Sequence, residues 1–314
     1  MRISESNYAV EKADLNDAKS LAQIMELADK ALNPEASPVA ITEAEEILSG
    51  YVDGVEARKL VNKSNGQIES IITVHPDKSR NRIYADSWQL PESNIEIMAL
   101  KITIELAKGI SKEDALWIGA NALDCKFISV LKSFGFELLR TYWGLRATVG
   151  HVEFPNLPTG FQIRTVSSES ELHSWWKVHQ DSFQFHFGFK PRPFEDWKAM
   201  VEQAVAIDLD ARWLLFYEEQ PVGFIECSDL KKEQNTGYVD GLGVIQEYQG
   251  RGLGEILLKW AFAYYSAKGA SHIELNVDTG NESGALKLYK KLGMKPKHSW
   301  QQYQNLNWES INFP

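Results

Sequence analysis

Apolar and polar residues alternate along this chain in two rounds of the same pattern. Tyr8-Ala9-Val10-Glu11-Lys12-Ala13 reads as a short strand followed by helical periodicity over about Asn16 to Leu32. Phe161-Gln162-Ile163-Arg164-Thr165-Val166 repeats that strand, with helical periodicity from about Glu169. The ends of the rounds also correspond. Val130-Leu131-Lys132-Ser133-Phe134-Gly135-Phe136 matches Leu288-Tyr289-Lys290-Lys291-Leu292-Gly293-Met294. In both, a helix runs into a glycine able to take the left-handed C′ conformation, and a new strand follows. Two matches in the same order indicate a duplication. Between the rounds, Gly150-His151-Val152-Glu153-Phe154-Pro155-Asn156-Leu157-Pro158-Thr159-Gly160 has the composition of a linker. The 314 residues are therefore expected to form domains 1–150 and 161–314 joined by 151–160, each mixing strands and helices in α/β order.

The second round is the more legible. Arg212 to Tyr217 and Pro221 to Cys227 predict a strand pair turning at Glu218-Glu219-Gln220. Gly237 to Ile245 predicts a further strand, Gly252 to Ala267 a helix, His272 to Val277 a strand and Glu282 to Leu292 a helix. The last strands are expected near Lys295 and over Trp300 to Leu306. Chemistry is expected at the strand, glycine-rich loop and helix around residue 250.

There the chain reads Val244-Ile245-Gln246-Glu247-Tyr248-Gln249-Gly250-Arg251-Gly252-Leu253-Gly254-Glu255. Glycines in alternation let backbone N–H groups approach an anion, the following helix turns its positive dipole end to the same place, and Arg251 adds a mobile charge. These features suit a pyrophosphate. The spacing G-x-G-x-G after an antiparallel meander departs from the dinucleotide fingerprint, and the Gly-Lys-Ser/Thr of a Walker loop is missing.

Gln249-Gly250-Arg251-Gly252-Leu253-Gly254 resembles the Q/R-x-x-G-x-G/A loop of the GNAT superfamily of N-acetyltransferases. Asn276-Val277-Asp278-Thr279-Gly280-Asn281-Glu282-Ser283-Gly284-Ala285-Leu286-Lys287-Leu288-Tyr289 resembles that family's second motif, and the duplicated layout is similar to tandem acetyltransferases of the mycothiol synthase kind. The resemblance implies two tandem GNAT-like α/β (α+β) domains, each a mixed, mostly antiparallel sheet flanked by helices. It implies acetyl-CoA as co-substrate, with no metal, and direct attack of a neutral amine on the thioester. The backbone of Leu242, Gly243 and Val244 would pair with the pantetheine arm, Gln249, Gly250, Arg251, Gly252, Leu253 and Gly254 would cradle the pyrophosphate, and Asn281 would contact the cofactor. Tyr289 would protonate the departing thiolate. Read without the motif, Tyr289 is a core aromatic in the stripe Ala285, Leu288 and Leu292. For the base, Tyr238 stands where the mycothiol synthase kind carries a glutamate. Asp240, two residues on and hence expected on the same strand face, and Glu226 are the candidates.

The remaining residues narrow the function further. The aromatic-rich stretch from Asp181 to Pro191 falls where such enzymes place an acceptor-binding loop, or else packs between domains. The first round lacks the glycine loop: Ile83 to Leu90 leads into Pro91-Glu92-Ser93-Asn94-Ile95-Glu96, where two carboxylates would face a pyrophosphate, and Leu131 stands in the place of Tyr289. A degenerate copy is expected there. With 33 basic against 43 acidic residues, a formal charge of −10 and no basic stripe, nucleic acid is not expected as partner, and a cationic substrate such as an amine suits the field. The expected activity is transfer to a primary amine of a small molecule, with a peptide or protein N-terminus as the other acceptor and a non-catalytic acyl-CoA-binding or regulatory module as the alternative. Met1 to Asn7 carries no secretory pattern and no apolar run approaches a membrane span, so a cytoplasmic location is expected. The chain is expected as a monomer or homodimer. Cys125 and Cys227 are expected to be buried free thiols.

Overall fold

The computed structural model describes residues 7–50, 53–203, 206–281 and 283–313, apart from the side chains of Gln203 and Ile207. Met1 to Ser6 and Glu282 therefore lie outside the described residues. The chain forms two compact units, one of Met1–Tyr142 with His298–Pro314 and one of Trp143–Lys297.

The first unit contains β1 (Tyr8–Lys12), α1 (Ala18–Leu32), α2 (Ile41–Ser49), β2 (Glu56–Asn62), β3 (Ile68–Asp77), β4 (Arg82–Gln89), α3 (Glu96–Ile110), β5 (Ala115–Asn121) and α4 (Cys125–Ser133). Its strands β1 to β4 form an antiparallel meander, and β4 then pairs parallel with β5 after the α3 crossover. Next comes β6 (Glu137–Thr148), whose residues from Trp143 belong to the second unit. That unit continues with β7 (Phe161–Thr165), α5 (Glu169–Phe183), α6 (Phe194–Gln203), β8 (Ile207–Tyr217), β9 (Gln220–Ser228), β10 (Thr236–Val244), α7 (Leu253–Ala267), β11 (His272–Asp278) and α8 (Ala285–Lys291), then opens β12 (Lys295–Gln304). Its strand order is β6-β11-β10-β9-β8-β7, with β7 to β10 antiparallel in turn and β10 parallel to β11.

The expected fold class holds: each unit is a mixed, mostly antiparallel sheet with flanking helices. The unit boundaries, however, fall elsewhere than the sequence linker. Gly150–Gly160 lies inside the second unit because it is fastened to α7: the Val152 N–H donates to Ser266 Oγ, Ser266 Oγ donates to the Gly150 carbonyl, and Phe154 packs on Trp260 with ring centroids 4.5 Å apart. The end of the chain belongs to the first unit because Trp300–Gln304 of β12 pair antiparallel with Asn121–Trp117 of β5. One continuous strand thus stands where two short ones were expected.

Local chemistry explains the element ends. Ser168 caps α5 by accepting the Glu171 N–H, and the Glu171 carboxylate answers the Ser168 N–H. The matched helix ends, at α4 and α8, close identically. Gly135 and Gly293 take φ of 79° and 81°, and the Phe136 and Met294 N–H groups reach back to the Leu131 and Tyr289 carbonyls at 3.0 Å. In the second unit, neighbouring strand residues point to opposite sheet faces. Phe224 meets Trp175 of α5, with centroids 4.6 Å apart, while beside it Gly223 faces Leu257 of α7. The two helices therefore cover opposite faces of β9 and β10. Cys227 is buried in this core, whereas Cys125 is exposed at the start of α4, against expectation, since a helix N-terminus lies at the surface.

Candidate active site

Strand β10 changes partners along its length. It runs parallel to β11 only from Thr236 to Val239, opposite His272 to Leu275, yet stays paired with β9 as far as Val244 opposite Gly223. Past Val239 the edge facing β11 has no strand partner among the described residues. The Val244 carbonyl accepts from Gln249 Nε2 at 2.9 Å, while the following Ile245 N–H bonds back to Val222. In a strand the N–H and C=O of one residue point the same way, so those of Val244 face the open side. The parting of β10 from β11 leaves an unused hydrogen-bonding edge beside the glycine loop.

A β-bulge marks the start of this edge. Tyr238 pairs with Ser228 and Gly241 with Glu226, so Asp240 is the extra residue. Ser228 and Glu226 share a face of β9, which puts Gly241, not Asp240, on the face of Tyr238. The expected alignment of Tyr238 with Asp240 is therefore corrected: the inserted residue breaks the two-residue alternation. Asp240 is exposed at the point where the strands part. Gly243 is required by packing, because a methyl group there would overlap the hydroxyl of the buried Ser182 on α5 and the Phe224 ring.

In the loop, Gly250 and Gly252 have φ of 74° and 77°, and nothing lies within 4 Å of where a Cβ would stand on either. Gly252 is the N-cap of α7 and offers no side chain to cap it. No backbone hydrogen bond is donated by Gly250, Arg251 or Gly252 to a described residue, and the Leu253 and Gly254 N–H groups, at the start of the helix, have no intrahelical acceptor. A row of free donors at a helix N-terminus over open space fits a diphosphate. Arg251 is exposed and lies over the Tyr248 ring, 4.7 Å from its centroid. On the neighbouring α8, Leu288 comes within 3.4 Å of the Cβ position of Gly254, and Lys291 bridges to Glu255 at 2.6 Å. Asn281 makes an Asx turn, its Oδ1 accepting the Ser283 N–H at 2.9 Å.

Tyr289 is 8% exposed, and burial pushes its hydroxyl up to about 12. No hydrogen bond holds that hydroxyl among the described residues. The phenol thus keeps its proton through the neutral range. Glu226 stands differently. Its Oε1 accepts from Arg212 Nε and faces Nη2, each at 2.7 Å, and the Arg212 guanidinium lies over Trp175. Sequence reasoning missed Arg212, whose partnership is visible only through the cross-strand register of β8 and β9.

The 181–191 stretch continues α5 into a turn in which the His186 N–H donates to Phe183 and the Phe189 N–H to His186. Trp175, His179 and Phe183 stack in succession, each against Phe224, and the His186 ring tilts onto Phe183. Burial pushes the His186 imidazole below its ordinary value, partly opposed by Asp278 at the end of β11. Phe185 and Phe187 remain exposed. Also unforeseen was Glu274, opposite Tyr238 on β11, where burial is outweighed by Lys231, Lys297 and Arg146, which hold the carboxyl down at about 2. Among the described residues no group of three or more His, Cys, Asp or Glu side chains converges as a metal site, and no helix is long and apolar enough to cross a membrane.

Residues 172–294 match the family model described as acetyltransferase (GNAT) family. The chain is similar to a mycothiol acetyltransferase of Renibacterium salmoninarum, 29% identical over 201 residues that make up 61% of this chain and 57% of that one. The match thus spans little more than half of that relative's length. Among solved structures it is similar to a GCN5-related N-acetyltransferase from Sphaerobacter thermophilus, with TM-score 0.78, 20% identity and 96% of both chains covered. A tandem GNAT protein from the clavulanic acid biosynthesis pathway superposes with TM-score 0.71, 15% identity and 95% and 98% of the two chains covered. The last two likenesses establish the fold.

Proposed function

We infer that this chain, whose residues 172–294 are a GNAT acetyltransferase domain, is an N-acetyltransferase that transfers the acetyl group of acetyl-CoA to a primary amine of a small molecule. One observation carries the reading. The free N–H groups from Gly250 to Gly254 lie next to the unpaired edge of β10, so one continuous surface offers donors for a diphosphate and a strand edge for an amide-bearing arm.

Acetyl-CoA supplies an activated acyl group as its thioester. On this reading Gly250 to Gly254 bind the diphosphate through backbone donors, with Gln249 bracing the loop against Val244 and Arg251 swinging in from Tyr248. Leu242, Gly243 and Val244 orient the pantetheine arm, and the Val244 N–H polarises the acyl carbonyl where negative charge develops. Asn281 completes the cofactor side. Tyr289 holds the proton that the leaving thiolate needs, and a hydroxyl lifted to about 12 by burial stays protonated through the neutral range. Of the two carboxylates, Asp240 is the better acceptor for the amine proton. It is exposed where β10 parts from β11, beside the edge that would take the pantetheine arm, and Glu226 pairs with Arg212. The first unit serves as the degenerate copy. Such a reaction belongs in the cytoplasm, where the acyl donor is made.

The test is calorimetric titration with acetyl-CoA, followed by thiol release in the presence of an amine library. One site per chain and amine-dependent thiol release support the reading. Binding without turnover on any amine would leave an acyl-CoA-binding module, and absence of binding would overturn the assignment.

A further inference from the structure

The first unit holds a polar cluster at the parting of β4 and β5 that its loss of the glycine loop does not explain. On β4, Arg82, Tyr84 and Asp86 share the sheet face covered by α1, and Thr73 and His75 of β3 stand directly opposite Asp86 and Tyr84. On β5, Trp117 lies beside Tyr84, the rings meeting edge to face at 5.5 Å. The parallel pairing of β4 with β5 ends at Ala85 opposite Ile118, so Asp86 and Gly119 are the next residues, at the mouth of the opening. Gly119 lies beneath the Asp86 and Trp300 side chains. A methyl group on it would overlap both Asp86 Oδ1 and Trp300 Nε1. Tyr84, Asp86 and Trp300 keep partial solvent access.

No described residue makes a hydrogen bond or ion pair with the Asp86 carboxylate, although burial alone lifts it to about 6. Across from it, Thr73 Oγ1 is fully buried and has no hydrogen-bond partner. The surrounding charges do not neutralise Asp86. Burial pushes His75 down to about 4, so it is uncharged at neutral pH. The Arg82 guanidinium lies over Trp117, 4.3 Å from the centroid, and reaches the Tyr84 hydroxyl. Lys59 of β2 is held by Asp17 at 2.8 Å, and Asp29 of α1 accepts from Asn121 and adds negative charge. A carboxylate with no counter-ion, set among indole and phenol rings, is the arrangement that recognises an ammonium group.

We propose that the parting of β4 from β5 binds a small molecule through its protonated amine, with Asp86 as the counter-ion and the Tyr84, Trp117 and Trp300 rings around it. The site belongs to the first unit and does not depend on the function inferred for the second. It gives the unit without the glycine loop a ligand of its own.

The probe is benzylamine, compared with benzyl alcohol, which has the same ring and no charge, in ligand-observed NMR on the full chain without acetyl-CoA. Wild type is expected to bind the amine and not the alcohol. Asp86→Asn, which keeps the shape, should weaken amine binding at least about tenfold while its titration with acetyl-CoA stays at the wild-type value. The Asp86 carboxyl ¹³C signal should also titrate at lower pH when benzylamine is present, which a purely structural acid would not do. Amine binding that persists in Asp86→Asn, equal binding of the alcohol, or an Asp86 titration indifferent to the amine overturns the proposal.

Discussion

Strands β4 and β5 run parallel through Arg82–Ala85 against Ala115–Ile118, and β10 and β11 do so through Thr236–Val239 against His272–Leu275, after which each pair parts. Beyond the parting the two pairs differ. In β10 a bulge at Asp240 introduces an edge that ends in the Gly250–Gly254 loop and a helix start without a side-chain cap. In β4 the register with β3 continues unbroken to Gln89, the chain closes a turn in which Ser93 Oγ donates to the Leu90 carbonyl, and Glu92 and Glu96 stand before and at the start of α3. Tyr289 in the second unit is Leu131 in the first, with the same helix ending around both. Equal scaffolds thus carry different chemistry because a few residues at the opening decide what can approach it.

The sharpest way to break the comparison is to give the second unit the charge of the first. Gly252→Glu adds a carboxylate where diphosphate is expected and forces a side chain onto φ of 77°, although the space beside it is open. Acetyl-CoA binding should weaken about 1,000-fold, near 4 kcal/mol, with the fold retained by circular dichroism. Gly252→Ala, which brings the backbone strain without the charge, should lose only about tenfold. Equal losses in the two variants would mean that electrostatics at this helix start matters little.

The carboxylates of the second unit separate next. Glu226→Ala strands the Arg212 guanidinium, which is 8% exposed, and should cost about 3 kcal/mol in denaturant unfolding while folded molecules keep their kcat. Asp240→Asn should do the reverse, lowering kcat about 30-fold with an unchanged unfolding midpoint. The opposite pattern would move the proton acceptor from Asp240 to Glu226. Tyr289→Phe removes a hydroxyl that has no hydrogen bond among the described residues, so stability should change by less than about 0.5 kcal/mol. Its kcat should nonetheless fall about tenfold to 100-fold with KM for acetyl-CoA unaltered. Full activity in this variant would make Tyr289 the equivalent of Leu131, a packing residue.

Much of this contrast is legible in the amino-acid sequence itself. The glycine loop, the Tyr289 and Leu131 correspondence and the Pro91–Glu96 replacement are local in sequence, and local chemistry fixes their geometry. The bulge at Asp240 is not legible there, because an inserted residue is recognised only against the register of β9. Arg212 with Glu226, and Lys231, Lys297 and Arg146 around Glu274, are invisible for a related reason: each is made by strand pairing between distant segments. The unit membership of residues 143–149 and 298–314 is likewise hidden, since nothing local records which strand a terminal segment will join. Asp86 reads as one residue of an alternating strand, and its isolation is a property of the residues stacked around it.

That isolation makes the last prediction. Burial raises Asp86 from 3.8 to about 6, so between these values the folded chain holds more protons than the unfolded one and stability falls as pH rises. His75, lowered from 6.5 to about 4, does the opposite: between those values the unfolded chain holds the extra proton, and stability rises with pH. The two slopes oppose each other across the window from about 4 to 6. Asp86→Asn removes one of them. Allowing for the partial exposure of Asp86, the variant should gain about 1–2 kcal/mol relative to wild type between pH 4 and pH 7, measured by urea unfolding at each pH. A difference between variant and wild type that stays constant with pH would mean that Asp86 titrates as an ordinary carboxylate. The first unit would then have no uncompensated charge to set against the cation-rich surroundings of Glu274 in the second.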